Sequence, residues 1–322
     1  MEKNRTNDMT VGSPVKLIIQ FMIPMFLGNI LQQFYNVADS IIAGQFLGVR
    51  ALAAIGSTGS LMFFVTGWLN GLSSGFAILV SQWFGAKQYD KMRHYVAMSV
   101  YLAGGCAVLM TAGLLIANEP ILRMMNYSAE IMPEVKQYMG IIYAVLIVTA
   151  AYNSLAAFLR AIGDSKSPLY FLIISAVINV ALDVVFIVVF GMGVEGCAYA
   201  TVIAQAISAL LCFIYIVKKF PILHLTKSDR KISFQSFGRL LSLGIPMGLQ
   251  FSITAIGTII VQGAVNVYGE TYMAGFSAAG KLQNMIMTVF VAFGATVATY
   301  VGQNRGAGRM DRVKSGVRCT QV

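Results

Sequence analysis

Three residues stand out because they are expensive where they lie. Asn179 and Asp183 sit four residues apart inside YFLIISAVINVALDVVFIVVF (170–190), a stretch long enough to cross a bilayer and almost wholly apolar. On a helix they share one face, one above the other. Asp39 sits in LQQFYNVADSIIAGQFLG, seven residues and so close to two turns after Gln32. Burying a carboxylate in hydrocarbon costs at least about 2.5–3.5 kcal/mol even on insertion scales, so an intramembrane Asp marks a functional site by default. Thr201, about seven residues into the following apolar stretch, falls at a similar depth. Asp39, Asn179, Asp183 and Thr201 could therefore meet in one layer a turn or two thick. Their side chains are hard oxygen donors, suited to Na⁺ or to a proton held between two carboxylates. Each has a plainer reading: an Asp pairs with Ser or Asn on the next helix, Asn179 glues helices together, and Thr201 packs. Lys281 is the third charge well inside an apolar stretch, either lining a cavity or snorkelling.

The elements that must position these residues follow from composition. The 322 residues are 57% hydrophobic and 11% charged, with a mean hydropathy of +0.72. Soluble domains carry about 25% charged residues. The chain therefore reads as an all-α polytopic membrane protein, with lipid as its solvent. Its net charge of +10 reflects basic loops rather than nucleic-acid binding. Eight apolar stretches are long enough to span as helices: 17–45, 52–82, 95–117, 135–159, 169–190, 194–217, 240–268 and 272–301. Pro24 predicts a kink in the first, and 118–133 reads as an external loop. Among the loops, only Arg50, Arg123 and Lys136 are basic on the side opposite the N-terminus. The bias puts the N-terminus in the cytoplasm of a plasma-membrane protein. Cys106, Cys197, Cys212 and Cys319 have no metal-binding spacing, and His94 and His224 fall in basic loops.

An internal repeat organises the whole. SQWFGAKQYDKMRHYV (81–96) matches GQNRGAGRMDRVKSGV (302–317) at an offset of 221, and Ile23-Pro24-Met25 recurs as Ile245-Pro246-Met247. A match in a polar loop is worth more than one between two apolar runs. Parallel repeats related by an axis along the membrane normal are a transporter plan. The division expected is a first six-helix lobe (1–217), a cytoplasmic linker (218–238) and the start of a second lobe (239–322). A full second lobe needs four more helices, so the chain reads as a C-terminally truncated piece, and an inactive fragment is one expectation.

These residues resemble a known family, the multidrug and toxic compound extrusion (MATE) transporters. The resemblance rests on QQFYNVADSIIAGQFLG, SQWFGAKQYDK, FLRAIGDSKSP, NVALDVVFIVVFGMGVEGCAYAT and the repeated GQNRGAGR. It implies twelve helices in two lobes and alternating access. It also implies export of organic, often cationic, compounds in exchange for H⁺ or Na⁺, with no other cofactor. Asp39, Asn179, Asp183 and Thr201 match the family's first-lobe cation site, and Gln32 fits a weaker member of it. The helix 7 stretch IPMGLQFSITAIGTIIVQ has no acid, which disfavours a second-lobe Na⁺ site. The expected partners are small organic cations and the bilayer, for a monomer. A lipid-linked oligosaccharide flippase of the same superfamily is the alternative, disfavoured by the lack of mid-span basic residues in the first lobe. An intramembrane aspartyl enzyme is disfavoured because neither Asp adjoins a Gly.

Overall fold

Backbone hydrogen bonds have no water to satisfy them in a bilayer, so long apolar runs close them internally as helices. A computed structural model of the chain describes the backbone at residues 8–125, 127, 130–266 and 270–321. Side chains at 35, 36, 259, 262–266, 270–278, 280–282, 284, 285 and 321 lie outside the description. The helices are α1 (Pro14–Leu47), α2 (Val49–Ser57), α3 (Gly59–Gly85), α4 (Tyr89–Met124), α5 (Met132–Ala144), α6 (Leu146–Ala161), α7 (Lys166–Val184), α8 (Val194–Lys219), α9 (Phe234–Asn266), α10 (Glu270–Gly306) and α11 (Met310–Gln321). Among the described residues seven helical runs could cross a membrane, and a bent pair makes eight. Many large apolar side chains face outward, among them Ile116, Val177, Phe190 and Ile260, as a lipid-facing surface requires.

The structure departs from the sequence expectation in several places. The second span is split at Thr58 into α2 and α3. The fourth breaks at Val145, where α5 and α6 meet at 52°. Helix α4 continues through Pro120 to Met124 and takes up part of the expected external loop. His94 lies on α4 rather than in a loop. Past Asp183, α7 opens into a π-helical turn over Val185–Val189, with the Phe190 amide bonding Val185 O at 3.0 Å.

Close packing rests on small residues, since lipid supplies no hydrophobic drive between helices. Gly71 and Gly75 on α3 face Gly244 and Gly248 on α9. A Cβ on Gly71 would lie 2.5 Å from Met247 O, and one on Gly75 would lie 2.6 Å from Gly244 Cα. The 221-residue offset carries α1 onto α9, the end of α3 onto the end of α10, and the start of α4 onto α11. The packing follows the same exchange: α3 lies on α9, α10 on α1, and α3 on α10. At the α3–α10 crossing a Cβ on Gly85 would collide with the Gln303 carbonyl. One on Gly306 would collide with the equivalent carbonyl of Gln82. Here two backbones touch, and neither position has room for a side chain.

Beside this crossing the polar groups pair off. Gln303 donates from Nε2 to Ala161 O at 2.9 Å and accepts the Met9 amide at 2.9 Å. Asn304 donates from Nδ2 to Met9 O and accepts from Arg312 Nε at 2.9 Å. Asp164 accepts the first amides of α7, from Lys166 and Ser167, and the Ser167 hydroxyl at 2.6 Å. That capping fixes where α7 starts and therefore the depth at which Asn179 and Asp183 lie.

Candidate functional site

The face of α7 turned inward is set by a four-residue step. Ser167, Ser175, Asn179 and Asp183 are buried, while Val177 and Val180 point outward. Small residues on α8, including Ala200, Ala204 and Ser208, let it approach this face. Two serines then pin the seam. Ser175 Oγ donates to Ala204 O at 2.7 Å, and Ser208 Oγ donates to Phe171 O at 3.2 Å. Thr149 of α6 adds a bond to Gln205 Oε1 at 2.7 Å on the other flank of α8.

Above these pins the four acid-layer residues are buried. Asn179 and Asp183 have no exposed surface, and Asp39 and Thr201 are 4% and 3% exposed. Helix α1 packs on α7 and carries Asp39 to the site. Thr201 Oγ1 donates to Asp39 Oδ2 at 3.3 Å. The Asp39 and Asp183 carboxyl groups lie close enough to interact directly. Asp39 Oδ1, both Asp183 oxygens, and both the oxygen and nitrogen of the Asn179 amide lack any hydrogen-bond partner. Buried polar atoms are almost always paired, and leaving one unpaired costs about 1–3 kcal/mol. These five atoms are not held by hydrogen bonds to neighbouring helices. Two facing carboxyl groups can hydrogen-bond only when one carries a proton, and a small cation would serve their lone pairs equally.

Of the sequence candidates, the structure brings Asp39, Asn179, Asp183 and Thr201 into one layer. It does not bring in Gln32, which is exposed on α1. Lys281 lies outside the residues whose side chains are described. Sequence reasoning missed Tyr138 of α5, which is buried and close enough to both carboxyls to interact with them. Nothing marks a lone Tyr in an apolar span. Its neighbourhood to the acids depends on the α5–α6 bend and on α5 packing against α8. Cys197 also closes on the layer. The donors of the layer are carboxyl, amide and hydroxyl oxygens, a set that suits a hard cation or a proton.

The basic residues expected on the side opposite the N-terminus are paired with carboxylates. Arg50 pairs with Glu134 at 3.4 Å, and Glu119 takes both Arg123 and Lys136 at 2.7 Å.

Known proteins are similar to this chain. A family profile described as MatE matches residues 24–185. The chain is 32% identical over 310 residues to "Probable multidrug resistance protein YpnP" of Bacillus subtilis, covering 95% of this chain and 68% of that protein. It is 30% identical to "Probable multidrug resistance protein YoeA" of the same organism, covering 92% of this chain and 66% of the relative. The chain thus spans about two thirds of the length of these curated relatives. A solved MOP superfamily transporter from Pyrococcus furiosus overlays 99% of this chain and 71% of its own, at 22% identity and a TM-score of 0.91. The buried layer thus sits in a fold built for transport rather than catalysis, and the chain belongs to the MatE family.

Proposed function

We propose that the chain forms the cation-binding part of an antiporter that exports organic, often cationic, drug-like compounds by alternating access. The observation that carries this reading is the cluster of unpartnered oxygens on Asp39, Asn179 and Asp183. H⁺ or Na⁺ bound there supplies what the protein withholds, so occupancy changes the free energy of closing the helices around the layer. A ligand shifts a conformational equilibrium only through such a difference between states. Thr201 orients Asp39, and Tyr138 covers the layer from α5. The Ser175 and Ser208 pins keep α7 on α8. The relatives' names supply the substrate class.

The same reading divides the chain into a first lobe (1–217), a linker (218–238) and the beginning of a second lobe (239–322), with the N-terminus cytoplasmic. The reciprocal packing of α1, α3, α9 and α10 supports two related lobes. The paired external charges leave the surplus of Lys and Arg on the other side, in keeping with that orientation.

The test is uptake of a fluorescent organic cation by proteoliposomes under an imposed pH or Na⁺ gradient, with Asp183→Asn beside the parent. Gradient-driven uptake that the substitution abolishes is the expected result. Uptake indifferent to both gradients, or a variant that transports normally, rejects the coupling.

A further inference from the structure

The segment between α8 and α9 is folded back and clamped to the first turns of α4. Asp229 Oδ2 accepts from Arg93 Nε at 3.0 Å, and from the Thr226 amide and hydroxyl at 2.8 and 2.6 Å. The His94 ring sits between Asp229 O at 3.1 Å and Ser236 Oγ at 3.0 Å. This clamp uses Arg93 and the only acid of the segment. It leaves Arg230, the next residue, leaning over a cavity of about 230 Å³ walled by Ala97, Val100, Tyr101 and Leu225.

The wall residues continue the clamped face of α4. Ala97, Val100 and Tyr101 follow Arg93 and His94 at four- and seven-residue steps, one to two turns further along a membrane-spanning helix. Val100 and Tyr101 are 44% and 42% exposed. Among the described residues the Arg230 side chain has no hydrogen bond or ion pair. Lys227 and Lys231 are exposed on either side of it. Ile232 and Phe234 follow at 66% and 85% exposure. A guanidinium without a counter-charge thus stands at the rim of an apolar cavity, among exposed cations and exposed apolar side chains.

We infer that this cavity binds an anionic phospholipid, its phosphodiester on Arg230 and its chains along Val100 and Tyr101. The occupant must bring negative charge to the rim and hydrocarbon to the floor. A guanidinium meets a phosphate through two parallel hydrogen bonds. Flanking Lys side chains add attraction to an anionic surface. A bound lipid would tie the inter-lobe segment to α4 at a place where the protein supplies the cation but no anion.

The experiment is native mass spectrometry of the delipidated protein in detergent, with phosphatidylglycerol or phosphatidylcholine added in equal amounts. The parent is expected to retain phosphatidylglycerol preferentially. Arg230→Gln is expected to lower that retention about tenfold, while Lys314→Gln, an exposed cation on α11, leaves it unchanged. Equal retention of both lipids, an equal loss in Lys314→Gln, or no loss in Arg230→Gln overturns the assignment. So does displacement of the lipid by inorganic phosphate alone. Should Arg230→Gln not yield folded protein, Val100→Glu serves in its place. It puts a like charge on the cavity floor and must also lower retention of the anionic lipid, and unchanged retention overturns the assignment.

Discussion

Asp183 and Gln303 are both wholly buried on membrane-spanning helices, and they are treated in opposite ways. The Gln303 amide is satisfied at both ends, by Ala161 O and the Met9 amide. Its neighbour Asn304 holds Met9 and Arg312 in the same manner. Neither Asp183 oxygen has a hydrogen-bond partner. The difference is one of purpose. Around Gln303 polar atoms fasten the end of α10 to the N-terminal segment and to α6. Around Asp183 the side-chain oxygens of the carboxyl and of the Asn179 amide have no hydrogen-bond partner in the protein. Burial alone therefore does not separate the two groups; hydrogen-bond satisfaction does.

The contrast can be broken most severely at the crossing itself. Gly85→Val places a branched side chain against the Gln303 backbone, which cannot move aside. The expected result is loss of the α3–α10 contact, with destabilisation of about 3 kcal/mol or more, measured by thermal unfolding in detergent. A variant as stable as the parent would mean the crossing is looser than the packing shows. Next in size is Gln303→Ala, which strands the Met9 amide and Ala161 O. It is expected to cost about 1–3 kcal/mol in the same assay. Asp183→Asn sharpens the comparison from the other side. It replaces a carboxyl whose oxygens have no hydrogen-bond partner in the protein, so stability is expected to hold or rise while gradient-driven transport is lost. A clear fall in melting temperature would show that the carboxyl is a fastener after all.

The smallest effect belongs to the clamp of the inter-lobe segment. Burial pulls the Asp229 carboxyl up, but the Thr226 and Arg93 donors outweigh it and hold its pKa below the ordinary 3.8. A folded-state pKa lower than the unfolded one gives stability that is present above the ordinary Asp value and is lost as pH falls through the folded pKa. The melting-temperature gap between the parent and Asp229→Asn should thus be steady near neutrality and shrink in acid, below about pH 4. A gap that widens in acid would contradict the clamp.

Much of the acid layer was legible because it violates a rule. Asp39, Asn179 and Asp183 are conspicuous in apolar stretches, and the four-residue spacing gave the shared face. Depth arithmetic added Thr201. Gln32 shows where spacing stops being informative: it lies seven residues before Asp39, close to two turns, but is exposed. Tyr138 was invisible because its relevance depends on a bend at Val145, in a sequence without Gly or Pro at the break. The polar loop match at 302–317 was read as evidence of repetition. The bonds that make it a fastener reach partners 142 and 294 residues away, beyond any local pattern. The eight spans were legible for a simpler reason: lipid permits few alternatives.

The wide turn at Val185–Val189 has a consequence for register. A turn closed by i to i+5 bonds holds one residue more than an α turn. Everything after it is therefore rotated by about 100° from where an unbroken α-helix would leave it. Ile187 turns inward to the core beside Cys197, while Val188, Val189 and Phe190 face out. The chain thus stores a spare residue one turn beyond Asp183, on the far side from the serine pins. Handing that residue back to the helix would swing the end of α7 without disturbing Ser175 or Ser208. The slack in α7 lies within reach of its carboxylate, and the stiffness lies below it.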